Sequence, residues 1–141
     1  MTARGKSRKR ALDILFEAEV RSVAIPDVLG ERIGSAHPPL NEYVSTLVEG
    51  VVARKSEIDQ LLAANTGDWP LERMPIVDRN VARIAVYELL AGQVPTGVVL
   101  SEAVELVSDL STDESPKFLN GLLARIAQTL PESVATTNEL D

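Results

Sequence analysis

Apolar side chains along this chain recur at intervals of three and four residues, the spacing that places a stripe on one side of an α-helix. Ala11, Leu12, Ile14, Leu15 and Ala18 form such a stripe, with Arg10, Asp13, Glu17 and Arg21 across from it, and predict a first helix from about Lys6 to Val23. Glu17 and Arg21 stand four residues apart in the favourable order for a helical ion pair. Pro26 ends that segment, and Asp27 to Ile33 reads as a short second helix before the break at Pro38-Pro39. A third stripe, Tyr43, Val44, Leu47, Val48 and Val51, begins near Leu40. Ser56 with Asp59 has the form of a variant capping box and predicts a further helix, carrying Ile58, Leu61 and Leu62 to about Asn65. Thr66-Gly67-Asp68-Trp69-Pro70 is turn chemistry.

Pro75 suits the first position of a helix over about Ile76 to Ala91. Val77, Val81, Ile84, Ala85, Val86, Leu89 and Leu90 take up most of its circumference, and a helix apolar nearly all round is a buried one. After Gly92 to Gly97 a further helix carries Val99, Ala103, Val104, Leu106, Val107 and Leu110. Ser115-Pro116 opens the last, with Phe118, Leu119, Leu122, Leu123, Ile126 and Leu130, and Pro131 stops it. The expected fold is all-α, a compact bundle of about seven helices in one domain over residues 1–130, faintly divided near Trp69. A disordered acidic tail is expected over 131–141.

Composition changes this picture little. Aromatic residues are 4 % of the 141, so Leu, Val, Ile and Ala must fill the interior, which favours packed helices over a β-sandwich. Charge changes it more. The net charge is −7, yet Arg4, Lys6, Arg8, Lys9 and Arg10 precede the first acid, Asp13, leaving nine cations against twenty-one acids in the rest. An anionic body with a basic amino-terminal arm over residues 1–10 points to a local anion site.

Catalytic chemistry is poorly represented. The absence of cysteine excludes a disulfide scaffold, a thiolate nucleophile and a cysteine-ligated metal. The single histidine, His37, falls in a loop, so neither a metal centre nor a Ser-His-Asp arrangement is expected. No phosphate-binding glycine loop, G-x-S-x-G elbow or H-E-x-x-H motif occurs. No apolar run is long enough to span a bilayer, and Asp13, Glu17 and Glu19 interrupt the segment that a secretory signal would need. The reading is a soluble, cytoplasmic, non-enzymatic protein without cofactor.

Binding chemistry is better represented. Arginine offers phosphate a bidentate fork and bases a stacking plane, lysine adds point charge, and a helix amino terminus adds free amides. The arm suits a nucleic-acid backbone; a purely solubilising terminus is the plain alternative. A second candidate surface is Lys117, Phe118 and Asn120, where a base would stack on the ring beside a phosphate at Lys117. Taken alone, a phenylalanine at the place of Phe118 is more often a core residue. Phe16 sits at the edge of the first stripe, and Asp78 in the first turn of the buried helix, where an acid suits the helix dipole.

The stretch from Ile76 to Leu89, Ser101-Glu102-Ala103-Val104-Glu105-Leu106-Val107, Phe118-Leu119-Asn120-Gly121-Leu122-Leu123 and the basic arm running into Arg10-Ala11-Leu12-Asp13-Ile14-Leu15-Phe16 together resemble the NusB family. They stand in that family's order over about residues 4 to 130. The resemblance implies two small helical subdomains and a role in transcription antitermination, within a complex containing RNA polymerase. It implies binding of boxA RNA of ribosomal RNA operons together with NusE, a small-subunit ribosomal protein. It gives Arg4, Lys6, Arg8, Lys9 and Arg10, with Lys117, Phe118 and Asn120, to RNA, and Phe16 and Asp78 to NusE. Gly5 and Ser7 dilute an arm that is often denser in arginine, and Phe16 lacks the hydroxyl of the tyrosine common there. A helical protein-interaction module with a solubilising arm is the competing class, and the residues leave monomer and homodimer open.

Overall fold

The computed structural model describes residues 2–131, and among them every regular element is helical. They are α1 (Ala3–Arg21), α2 (Ile25–Ser35), α3 (Glu42–Ala53), α4 (Lys55–Asn65), a single 3-10 turn (Leu71–Arg73), α5 (Ile76–Ala91), α6 (Thr96–Leu110) and α7 (Ser115–Gln128). Apart from Pro131, the tail expected over 131–141 lies outside the described residues.

The central helix expected from the apolar pattern is α5. It packs against α1, α3, α4, α6 and α7, while α2 reaches the core through α1 and α3. The buried apolar residues of all seven helices form one continuous core, from Leu12 and Leu15 through Leu47, Ile58 and Val86 to Leu119 and Leu123. Gly50 lets α3 approach α5 closely: a methyl group there would lie 2.2 Å from the Tyr87 ring. Gly92 ends α5 at φ 69°, in the left-handed region that only glycine enters without cost. No helix among the described residues is long and apolar enough to cross a membrane.

At three boundaries the difference from expectation has a clear local reason. The first helix begins at Ala3, because Thr2 caps it: its hydroxyl accepts from the Gly5 amide at 2.9 Å. The basic arm is therefore the first two turns of α1. Pro26 lies in the first turn of α2, where a missing amide costs nothing, instead of ending the segment before it. The capping box at Ser56 does not form. Only Arg54 separates α3 from α4, so Ser56 is already helical, and Asp59 turns to Arg83.

Candidate nucleic-acid interface

Winding the basic segment into a helix sorts its cations by direction. Arg8 precedes Ala11, Leu12 and Leu15 by three, four and seven residues, so it shares their buried stripe. Its side chain is 2 % exposed, and its guanidinium grips the Glu88 carboxylate through two bonds, Nε to Oε1 at 2.8 Å and Nη2 to Oε2 at 2.9 Å. Nη1 donates to Glu102 Oε1 at 2.9 Å. The expectation that Arg8 contacts RNA is corrected on this point: two carboxylates occupy its fork inside the helical body.

Lys6 and Arg10, four residues apart, are exposed on the outer side of α1, and neither is ion-paired among the described residues. Lys9 is half-exposed and donates to Asp13 at 2.7 Å. Arg4 lies with its guanidinium carbon 4.6 Å from the centre of the Tyr43 ring, a cation–π contact. The Tyr43 hydroxyl donates to Glu88 Oε2 at 2.6 Å. Burial, then the Glu88 charge and this hydrogen bond, push the phenol well above its ordinary range, so Tyr43 stays a donor.

The second candidate surface is built at the start of α7. Lys117 and Asn120 are exposed, and Phe118 is half-buried with its ring edge-on to Trp69, centroids 4.6 Å apart at 67°. Phe118 therefore combines the two readings, packing on Trp69 while part of it meets solvent. The Ser115 hydroxyl donates to Asp78 Oδ2 at 2.6 Å, which ties α7 to the first turn of α5. Asp78 is 0 % exposed, so the expectation that its carboxylate faces a partner protein is corrected: it is an internal brace between two helices. Phe16 remains accessible at 38 %, with Val20 one turn later at 58 % on the same side of α1.

The structure does not bring the two cationic surfaces together. Arg8 marks the carboxyl end of α5 through Glu88, and Ser115 marks its amino end through Asp78. Ten helical residues separate those anchors, about 15 Å along the axis.

Between these ends lies a network that apolar periodicity did not disclose. Arg79 donates to Glu19 and to the Met74 carbonyl at 2.9 Å, and Asn80 donates to Glu19 Oε1 at 3.1 Å. Arg83 holds Asp59 through Nε at 2.9 Å and Nη2 at 3.2 Å. Partial burial pushes the Glu19 and Asp59 carboxyls up, but hydrogen bonds from Arg79 and Asn80 to Glu19, and from Arg83 and Lys55 to Asp59, with the charge of the cations among them, outweigh it and hold both below their ordinary values. The available signal was the charge itself. Arg79, Arg83 and Glu88 lie on a helix expected to be buried, and buried charges require partners.

Comparison with known proteins places this geometry. The NusB family model matches residues 5–128. The transcription antitermination protein NusB of Kineococcus radiotolerans is 56 % identical over 129 residues, 91 % of this chain and 95 % of that protein. That of Salinispora tropica is 54 % identical over 132 residues, covering 91 % and 97 %. Among solved structures, T. maritima NusB superposes with TM-score 0.82 at 33 % identity, covering 91 % of this chain and 92 % of that one. A structure of antitermination factors NusB and NusE in complex with dsRNA gives TM-score 0.80 at 26 % identity, covering 92 % and 98 %. On fold, coverage and identity together, the chain belongs to the NusB family.

Proposed function

We propose that this chain is a cytoplasmic, non-enzymatic transcription antitermination factor that binds boxA RNA jointly with NusE, within the antitermination complex on RNA polymerase. The observation that carries the reading is the pair Lys6 and Arg10, exposed and without ion pairs among the described residues at one end of an anionic helical body. Unpaired surface cations release counterions when they meet phosphate, and this release drives binding to a nucleic-acid backbone. Arg4 and Lys9 flank them. Lys117, Asn120 and the open part of Phe118 form the second contact. The buried anchors behind the two surfaces, Glu88 and Asp78, are offset by about 15 Å along α5, so a single strand contacting both surfaces must run from one end of that helix to the other. Phe16 and Val20 supply the apolar strip for NusE on the outer side of α1. No chemical step is involved.

Joint binding requires that each ligand raise affinity for the other by the same factor. Filter binding with boxA-containing and scrambled RNA, with and without NusE, tests the proposal. Preference for boxA that NusE strengthens is the expected result. Equal, weak retention of both RNAs in both conditions would reduce the chain to a protein-interaction module.

A further inference from the structure

A pocket of about 290 Å³ opens at Arg10, between α1, α2 and the loop joining α2 to α3. Arg10, Asp13 and Ile14 line it from α1, Arg32 from α2, and His37 and Leu40 from the loop. We propose that it takes one nucleotide of the RNA strand held on the first turns of α1, with phosphate at Arg10 and His37 and the base against Ile14 and Leu40. This rests on the RNA-binding reading above and adds a separate subsite to it.

The chemistry of the lining favours a nucleotide over a simple anion. Arg10 belongs both to the pocket and to the outer face of α1, so a strand following Lys6 to Arg10, about 6 Å along the axis, arrives at the mouth. Arg32 is turned to Glu17, which also binds Arg21 at 2.5 Å, so it contributes shape more than free charge. Asp13 is an acceptor, held by Lys9 at 2.7 Å. An acceptor disfavours bare phosphate but suits the exocyclic amines of adenine, cytosine or guanine. Ile14 is buried and Leu40 half-buried, so two apolar side chains back an otherwise largely polar lining. The volume lies at the small end of ligand sites and matches one nucleotide, not a longer segment.

Cross-linking separates this subsite from the rest of the interface. Full-length protein is bound to boxA RNA carrying 4-thiouridine at each position in turn, irradiated, and mapped by peptide mass. The expected result is a cross-link to the Ser35–Leu40 peptide from one stretch of the RNA, and about fivefold weaker binding by His37→Ala with an unchanged thermal melt. Cross-links confined to α1 and α7 overturn the subsite whatever the variant does, while leaving RNA binding itself standing. RNA that is not retained by the wild-type protein removes the underlying reading and the subsite with it. Protection of the Ser35–Leu40 peptide by micromolar adenosine monophosphate, with no RNA position cross-linking there, assigns the pocket to a free nucleotide and also overturns the proposal.

Discussion

At the carboxyl end of α5, Glu88 is buried against a guanidinium and a phenol; at its amino end, Asp78 is buried against a row of hydroxyls. Both acids fasten another helix to α5, α1 in one case and α7 in the other. The Glu88 carboxylate receives three donors through Arg8 and Tyr43. Asp78 receives one from Ser115, which in turn meets Thr112 Oγ1 at 2.8 Å and Ser111 Oγ at 3.2 Å, and Asp78 Oδ1 has no protein partner among the described residues. Its charge rests on the amino end of the α5 dipole instead. The difference teaches what each end can spare for binding. At the α1 end a cation is withdrawn from the surface to neutralise a buried acid. At the α7 end neutral hydroxyls hold the acid, and Lys117 stays outside.

The sharpest way to break this comparison is to remove Arg8. Arg8→Ala leaves Glu88 buried with Tyr43 as its one side-chain donor among the described residues, and stranding one member of a buried ion pair costs about 3–5 kcal/mol. Urea denaturation should show that loss as a lower midpoint, while the salt dependence of RNA binding keeps its slope. A variant as stable as the wild type, with a flatter slope, would return Arg8 to the RNA face. Removing the Ser115 hydroxyl is the matching test at the other end. Ser115→Ala takes from Asp78 Oδ2 its only donor among the described residues, but that donor is one neutral hydroxyl and not a guanidinium, and the loss should cost about 1–3 kcal/mol. If it proved the more damaging of the two, hydroxyls and not the guanidinium would be the stronger anchor.

The helices were legible because apolar periodicity is local information, and α5 in particular keeps its expected bounds, Ile76–Ala91. Direction within the basic segment was legible only in part. Arg8 stands at the head of the stripe Ala11, Leu12 and Leu15, but a search for apolar residues passes over an arginine on that stripe. Its partner lies eighty residues away, and nothing in one sequence pairs position 8 with position 88. The same holds for Asp78, whose place in the first turn of α5 was plain while Ser115, thirty-seven residues on, was not evident as its donor. Thr2 was the missed local signal. A threonine before a basic run is an amino-terminal cap, and it converts an expected arm into helix.

The smallest effects on stability belong to the cations left outside, and they carry the comparison into binding. Lys6→Ala with Arg10→Ala removes two exposed side chains that hold nothing in the fold, so unfolding should shift by less than about 0.5 kcal/mol. If both meet phosphate, the slope of log K against log salt should flatten by about 1.4, at about 0.7 per contact on a single strand. Lys117→Ala at the far end should flatten it by about 0.7, half as much, again without loss of stability. Combined in one triple variant, the changes should add, because about 15 Å along α5 separates the two anchors and the sites share no partner. A triple variant no flatter than the double would mean that the strand never reaches α7. RNA binding would then belong to the α1 end alone, and the buried bridge from Ser115 to Asp78 would serve only the fold.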